Sequence, residues 1–574
     1  MRLRTNQQMH MKTLVITLAV SVAAGSLLLD ANSDPVRVRK GLVISATGLA
    51  SEAGLQALKA GGTAVDAAVA TAFALAVTFP TAGNIGGGGF LVLRPATGDP
   101  VAYDFRETAP SGSTPAMWLR DGKYDPDLHH DSVLSVGVPG TVAGLHLAWK
   151  EHGKLPWRQL VEPAIRLARD GFEISDGLAR DLASNLRYMQ RYPASVAQFS
   201  RNGTPYEAGD ILRQPDLART LERIASDGPA DFYQGETARL IEREMQRLGG
   251  LITRADLQAY VAKKRKPLTG SYRGYEIITM PPVSSGGVAL LEMLNILEGF
   301  DLASTGVGSA ATVHLMAESM RRTYADRARY LGDPDFVHDM PIERLTSRAY
   351  AAELRKTIDP NRASVSSPTR VDWPAESPET THFSVVDADR NAVSMTYTLE
   401  GIYGGYGSMI VVPGAGVLLN SEMGDFNAAP ELTTAGGLIG TPPNLAAPGK
   451  RPLSSMTPTI LARDGRVFMV TGSPGGRTII NTVLQTILNV VDFRMNAQDA
   501  ADAGRIHHQW LPDRIQYEER ALSPDTLALL KQRGHALDMV KRMGAAHLIL
   551  YNPADNLLEG GIDRRRPDAG AAGW

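Results

Sequence analysis

Two adjacent hydroxyls, Thr380 and Thr381, stand where a Ser/Pro-rich stretch gives way to an alternating apolar run, PETTHFSVV. A threonine hydroxyl is a poor nucleophile until a base removes its proton. One solution makes the threonine the first residue of a chain, so that its own α-amine, with a pKa near 8, is that base. The peptide bond before it must then be cut. The stretch from Asn361 to Glu379, NRASVSSPTRVDWPAESPE, is poor in apolar residues and reads as an exposed, extended connector. By itself that is an interdomain linker, but it would also present a cleavable bond beside a rigid strand. THFSVVDADRNAVSMTYTL then reads as strand, polar turn, strand, and its return arm carries Thr398 back toward the start, as a hydrogen-bond partner for the Thr380 hydroxyl.

Other residues could complete an acyl-transfer site. GSPGG, Gly472 to Gly476, follows the apolar FMVTG and precedes a helical run, and the N–H groups of Gly475 and Gly476 at such a turn could hold an oxyanion. A phosphate cradle is a competing reading, although no lysine follows as a P-loop requires, and a plain tight turn is a third. KRPLSSMTPT places the hydroxyls of Ser454 and Ser455 on a loop entering a strand, where serines ordinarily cap turns. Arg106, in DFRE on an otherwise apolar strand edge, carries the group that grips a carboxylate at two points. Glu400, after the second hairpin arm, and Glu422 and Asp425, in NSEMGDF, could hold an ammonium. Each taken singly reads first as a surface charge or a structural ion pair.

The elements around these residues alternate in kind. ASEAGLQALKAGG (Ala50 to Gly62) has the apolar spacing of a helix and stops at paired glycines. AVDAAVATAFALAVTFP (Ala64 to Pro80) is apolar nearly all round, which predicts a helix buried between layers. NIGGGGFLVLRP gives a glycine turn and a short strand, Phe90 to Leu93, and VAYDFRETAP a second strand carrying Arg106. Residues 135 to 350 are mostly helical, with 3.6-residue periodicity in HLAWKEHGKLPWRQLVEPAIRLARDG and AATVHLMAESMRRTYADRARYLGDP. Beyond the connector, MIVVPGAGVLLN, TPTILARDGRVFMVTG and AAHLILYNPADNLLEG read as strand–turn–strand, with an amphipathic helix at Thr478 to Phe493. Hairpins with packed helices predict layered sheets covered by helices.

Bulk composition excludes much else. The 574 residues are 43% hydrophobic and 21% charged, with a formal net charge of -2, so neither nucleic acid nor an anionic membrane is indicated as a partner. The chain has no cysteine, which removes disulfides, thiol nucleophiles and cysteine-ligated metal. Arg2, Arg4 and Lys12 precede the apolar run Leu14 to Leu29 and then a polar stretch, the form of a secretory signal ending near residue 31. The run is short against the roughly 20 residues of a spanning helix. Export to the periplasm or beyond is expected, with an uncleaved anchor as the alternative.

Taken in order, AVDAAVATAFALAVTFPTAGNIGGGGF, DFRETAP, TTHFSVVDADRNAVSMTYTLEG, LLNSEMGDF, KRPLSSMTPTI, VTGSPGG and RIHHQWLPD resemble the γ-glutamyltranspeptidase (glutathione hydrolase) family of N-terminal-nucleophile hydrolases, from about Gly41 to the C-terminus. The resemblance implies an α+β, four-layer αββα sandwich built jointly by two subunits cut from one precursor: signal 1–31, large subunit 32–379, small catalytic subunit 380–574. It implies Thr380, not Thr381, as nucleophile, Thr398 as the residue orienting it, and Gly475 and Gly476 as oxyanion hole. Arg106, Ser454 and Ser455 would bind the α-carboxylate of a γ-glutamyl group, and Glu400, Glu422 and Asp425 its α-ammonium. The partners implied are glutathione and other γ-glutamyl compounds as donors and water, amino acids or dipeptides as acceptors, with no metal or organic cofactor. His507 and His508 are then packing or hydrogen-bonding residues rather than ligands.

Some positions depart from the family pattern. Glu400 and Glu422 stand where some members have Asn and Gln, GIYGGYGS is a few residues longer, and AGGL, with Gly436, occupies the place of a lid tyrosine. The alternatives are an acylase acting on glutaryl side chains of β-lactams and, from another class, a non-catalytic protein that binds γ-glutamyl peptides.

Overall fold

The expected hairpin forms at the centre of the molecule: Thr381–Val386 pairs antiparallel with Ala392–Thr398, Thr381 opposite Tyr397. The computed structural model describes residues 33–366, 379–401, 403–432, 434 and 439–574. The hairpin lies within a seven-stranded sheet, in the order Gly570–Gly573, Leu42–Ser45, Thr381–Val386, Ala392–Thr398, Gly88–Arg94, Val101–Asp104, Lys263–Arg265, antiparallel throughout. A second antiparallel sheet, which carries the glycine loop, runs Val36–Val38, Leu557–Ile562, His547–Asn552, Arg466–Thr471, Thr459–Arg463, Tyr275–Thr279, Leu268–Tyr272.

Side-chain alternation decides how the layers stack. Val43, Leu91, Leu93, Phe383 and Val385 join a buried cluster with the helix Ala64–Thr78. Their neighbours Leu42, Ile44, Phe90 and Val92 point the other way, into a cluster with Ile460, Met469 and Val470 of the glycine-loop sheet. That second sheet is covered in turn by the helix Gly286–Leu297, with Thr478–Val491 beside it. The layers are therefore helix, sheet, sheet, helix, as expected. Ala64–Thr78 is buried along its whole length and opens with a reciprocal cap between Thr63 and Asp66. Its ends are satisfied by other segments, the Ala64 amide donating to Asp387 Oδ2 at 2.9 Å and the Val77 carbonyl accepting from Gln214 Nε2 at 2.8 Å.

The facing sheets also carry buried polar groups, and the serines among them are paired across the gap. Ser394 Oγ donates to the Thr471 carbonyl at 2.9 Å and accepts from the Thr459 amide at 3.0 Å. Ser384 Oγ donates to the His547 carbonyl at 3.0 Å. His382 sits between Thr396 Oγ1 (2.9 Å) and Ser384 Oγ (3.0 Å), so both ring nitrogens are engaged.

Several expectations need correction. The strand before Arg106 ends at Asp104, and Arg106 lies two residues beyond it in a loop. MIVVPGAGVLLN folds back on itself only as a minimal antiparallel bridge, Val411 opposite Leu418 with Val412 bonded to Val417 and Leu419 to Ile410, and it adds no strand to either sheet. The helix predicted at Thr478 to Phe493 ends at Val491, and its polar stripe does not face water. Asn481 and Gln485 are buried and bind His507 Nδ1 and the Ile506 carbonyl. The expected leader, residues 367–378 of the connector and Gly436 lie outside the described residues. Among the described residues no helix is long and apolar enough to cross a membrane.

Burial holds the His547 imidazole down to about pKa 4 and pushes His382 well below its ordinary value, with His547 adding to the effect. Both are neutral in the folded protein and gain a proton near pH 6.5 once unfolded. Their stabilisation is complete above pH 6.5 and lost as pH falls toward about 4. The urea midpoint of the protein is expected to drop across this interval, and less steeply for His547→Gln. An unchanged slope in that variant would contradict the assignment.

Candidate active site

Positions 380, 382 and 384 share one face of their strand, and His382 and Ser384 look toward the glycine-loop sheet. By the same alternation Thr380, at the strand's mouth, belongs to the inter-sheet face and Thr381 to the helix face. Thr380 and Thr398 are both buried. The Thr398 hydroxyl donates to the main-chain carbonyl of Glu379 at 3.0 Å and accepts from the Glu400 amide at 2.8 Å. In the uncut chain its partner is thus the carbonyl before Thr380, rather than the Thr380 hydroxyl that the sequence suggested.

Glycines let the backbone close around this point. A Cβ on Gly87 would lie 2.1 Å from the Thr398 carbonyl oxygen, so the glycine run is what allows its strand to meet the hairpin here. That carbonyl also accepts from Asn84 Nδ2 at 2.8 Å. Glu400 has φ 63°, a left-handed turn unusual for a non-glycine residue, and this turn brings its amide back to Thr398.

Beyond that turn the expected acids converge. Glu400, Glu422 and Asp425 each offer a carboxylate oxygen within 4.8 Å of the others. The fully buried Arg106 joins them: Nη1 binds Glu422 and Nη2 binds Asp425, while Nε donates to the Pro452 carbonyl at 3.2 Å. Burial opposes the charge on Arg106, but Glu422, Asp425 and Glu107 more than reverse that and raise its pKa. The neighbouring Glu107, 3.7 Å from Arg106, was absent from the sequence expectations. Burial first and the Glu422 charge second push its carboxyl far up.

The two serines follow directly on the Pro452 contact. Ser454 Oγ accepts from the Met456 amide at 3.1 Å. Ser455 Oγ accepts from Arg327 Nη2 at 2.9 Å, and Arg327 Nε reaches Ser285 Oγ at 2.8 Å. Arg327 lies on the helix Ala310–Tyr330 and adds a second buried cation that the sequence did not single out. Its helical spacing made it look like any surface arginine.

The glycine loop follows the strand Arg466–Thr471 and leads into Thr478–Val491, whose N-terminal N–H groups carry partial positive charge. Gly472 packs on the His382 ring, which ties the loop to the strand that begins beside Thr380. Gly475 has φ 132°, and a Cβ there would meet Thr478 Oγ1 at 2.4 Å, so this conformation requires glycine. His507 pairs with Asn481 and Gln509, and His508 with Asp513 and the Trp510 amide, in the hydrogen-bonding roles expected of them.

The Gamma-glutamyltranspeptidase family model matches residues 50–573. The chain is 47% identical over 544 residues to a glutathione hydrolase proenzyme of Escherichia coli, covering 94% of this chain and 93% of that one. Its fold superposes on a cephalosporin acylase from Bacillus halodurans with a TM-score of 0.82 at 28% identity, covering 96% and 98% of the two chains. It also matches a γ-glutamyltranspeptidase chain from Helicobacter pylori at 47% identity and a TM-score of 0.54, over 55% of this chain and 91% of that one. The chain is an enzyme of the γ-glutamyltranspeptidase family, built on the N-terminal-nucleophile hydrolase fold.

Proposed function

We propose that the chain is a precursor that cuts itself between Glu379 and Thr380 and then acts as a γ-glutamyltransferase and glutathione hydrolase with Thr380 as nucleophile. The observation that carries this reading is the Thr398 hydroxyl held against the Glu379 carbonyl at 3.0 Å. Thr380 Oγ adds to that carbonyl carbon, and the negative charge that develops on the oxygen meets a donor already in place. The Glu379–Thr380 C–N bond then breaks, the departing nitrogen takes the proton lost by the hydroxyl, and an ester links Glu379 to Thr380 Oγ. Water opens the ester and leaves Thr380 with a free hydroxyl and a free α-amine. His382 is no rival base, since both its nitrogens are engaged.

In the mature enzyme the amine takes the hydroxyl proton as Oγ attacks the γ-carbonyl of a donor such as glutathione. Gly475 and Gly476 would hold the oxyanion. The amine passes the proton to the leaving nitrogen, releasing Cys-Gly from glutathione, and water or an amino acid or dipeptide amine then opens the γ-glutamyl ester. Arg106, Ser454 and Ser455 would take the donor's α-carboxylate, and Glu400, Glu422 and Asp425 its ammonium. The charges support this division. Glu400, Glu422 and Asp425 converge beside Arg106, and this grouping of acids suits a donor that brings an ammonium better than a glutaryl group that lacks one. A glutaryl acylase is for that reason the weaker reading.

Cleavage would leave the subunits interlocked. Strands from before residue 379 flank the hairpin on both sides, and Tyr275–Thr279 and Val36–Val38 pair with strands from after residue 380. The large subunit 32–379 and small subunit 380–574 would share both sheets and stay together as a heterodimer. The leader would direct the protein out of the cytoplasm.

On a denaturing gel the parent is expected to give bands of roughly 37 and 21 kDa, from the mean residue mass and the two lengths. Thr380→Ala should stay one inactive chain, and normal processing of that variant would refute the nucleophile. Arg106→Ala should raise KM for a γ-glutamyl anilide roughly 10- to 100-fold, because a charged hydrogen-bonding partner is lost. It should also lower the melting temperature, because Glu422 is left buried without its cation. Parent enzyme should turn over the γ-glutamyl anilide much faster than the glutaryl anilide; the reverse order would favour the acylase.

A further inference from the structure

Glu379, the residue on the acyl side of the proposed cut, is held twice. Its main-chain carbonyl accepts from Thr398. Its buried side-chain carboxylate binds Arg566 Nη2 through one oxygen, and Arg542 lies 3.8 Å from the other. The three consecutive arginines of the C-terminal turn divide their work. Arg564 pairs with Asp502, Arg565 with Glu518 and Asp563, and Arg566 turns inward to Glu379. The Arg566 guanidinium lies over the Phe79 ring, 5.5 Å from its centre, a cation–π contact. The turn leads into Gly570–Gly573, which pairs with Leu42–Ser45, and that strand pairs with Thr381–Val386. Sheet register therefore sets the distance from Arg566 to the cut. A cavity of about 520 Å³ opens on the arginine side of the pair, lined by Arg542 and Arg566 together with Arg180, Asp181, Lys541 and Asp568.

Resting on the cleavage proposed above, we propose that Arg566, assisted by Arg542, is a positioning residue for self-cleavage: its grip on the Glu379 side chain fixes the rotation of the scissile carbonyl so that Thr380 Oγ meets its carbon. A side chain held at one end and a carbonyl held at the other leave the peptide unit little freedom to turn. Misplacement by about 1 Å costs such a reaction on the order of 10²-fold. The role belongs to the precursor alone, since Glu379 departs as the end of the large subunit.

The test follows first-order cleavage of newly synthesised full-length chain, by cell-free pulse labelling and gel, for the parent, Arg566→Ala, Arg566→Lys, Glu379→Ala and the Arg566→Ala/Glu379→Ala double variant. Arg566→Ala and Glu379→Ala should each slow cleavage by roughly 10- to 100-fold. The double variant should be no slower than the slower single, because the two act through one contact. Arg566→Lys should recover part of the rate. Cleavage of Glu379→Ala at the parent rate, or a double variant slowed by the product of the two single effects, would overturn the proposal; the first reading survives even if Arg566→Ala fails to fold. A parent fragment beginning elsewhere than Thr380 would instead refute the cleavage site itself, and this role with it.

Discussion

The pairing register of one hairpin constrains everything else in this protein. Because Thr381 faces Tyr397, residues 380, 382 and 384 share the face turned to the second sheet, and Thr398 comes level with the Glu379–Thr380 peptide. A slip of one residue would turn Thr380 toward the helices and bring Thr381 inward, exchanging a nucleophile for a packing residue. The register is protected from both sides. Phe383 and Val385 are anchored in the helical cluster, while Ser384 and Ser394 bond across the inter-sheet gap and His382 bonds to Thr396 and Ser384 of its own hairpin. Hydrophobic burial and buried hydrogen bonding thus specify the same alignment.

The acid cluster expresses a different compromise. Arg106 and its carboxylates are buried at a cost in desolvation that a purely structural core would avoid. The guanidinium is paired with Glu422 and Asp425, the acids proposed to meet an ammonium. A donor carrying both a carboxylate and an ammonium would exchange this internal pairing for two external ones, so neither charge need be left alone in a buried site. A substrate with only one of the two charges could not complete that exchange.

Much of this was legible in the sequence, for identifiable reasons. The hairpin around Thr380, the buried Ala64–Thr78 helix and the glycine loop announce themselves through local alternation, all-round apolarity and turn chemistry. Arg327, Glu107 and Arg566 did not, because nothing local distinguishes a buried, paired charge from a solvated one. Their roles come from contacts between segments far apart in the chain, such as Arg566 with Glu379. The turn at 409–420 misled for the opposite reason: an apolar run with a proline and glycines looks like two full strands, yet it pairs only around Val411 and Leu418 and is buried outside both sheets. The second face of Thr478–Val491 misled likewise, since buried hydrogen-bonded amides look the same in sequence as solvent-facing ones.

The hydrogen bond from Thr398 to the Glu379 carbonyl can be tested without disturbing the register, because Thr398→Val keeps the shape of the side chain and removes only its hydroxyl. The most direct measurement is the first-order rate at which full-length Thr398→Val chain splits into two, set beside Thr398→Ser, which keeps the donor. Thr398→Val is expected to persist as a single chain while Thr398→Ser still cleaves. Splitting of Thr398→Val at the parent rate would contradict the role given to that hydroxyl.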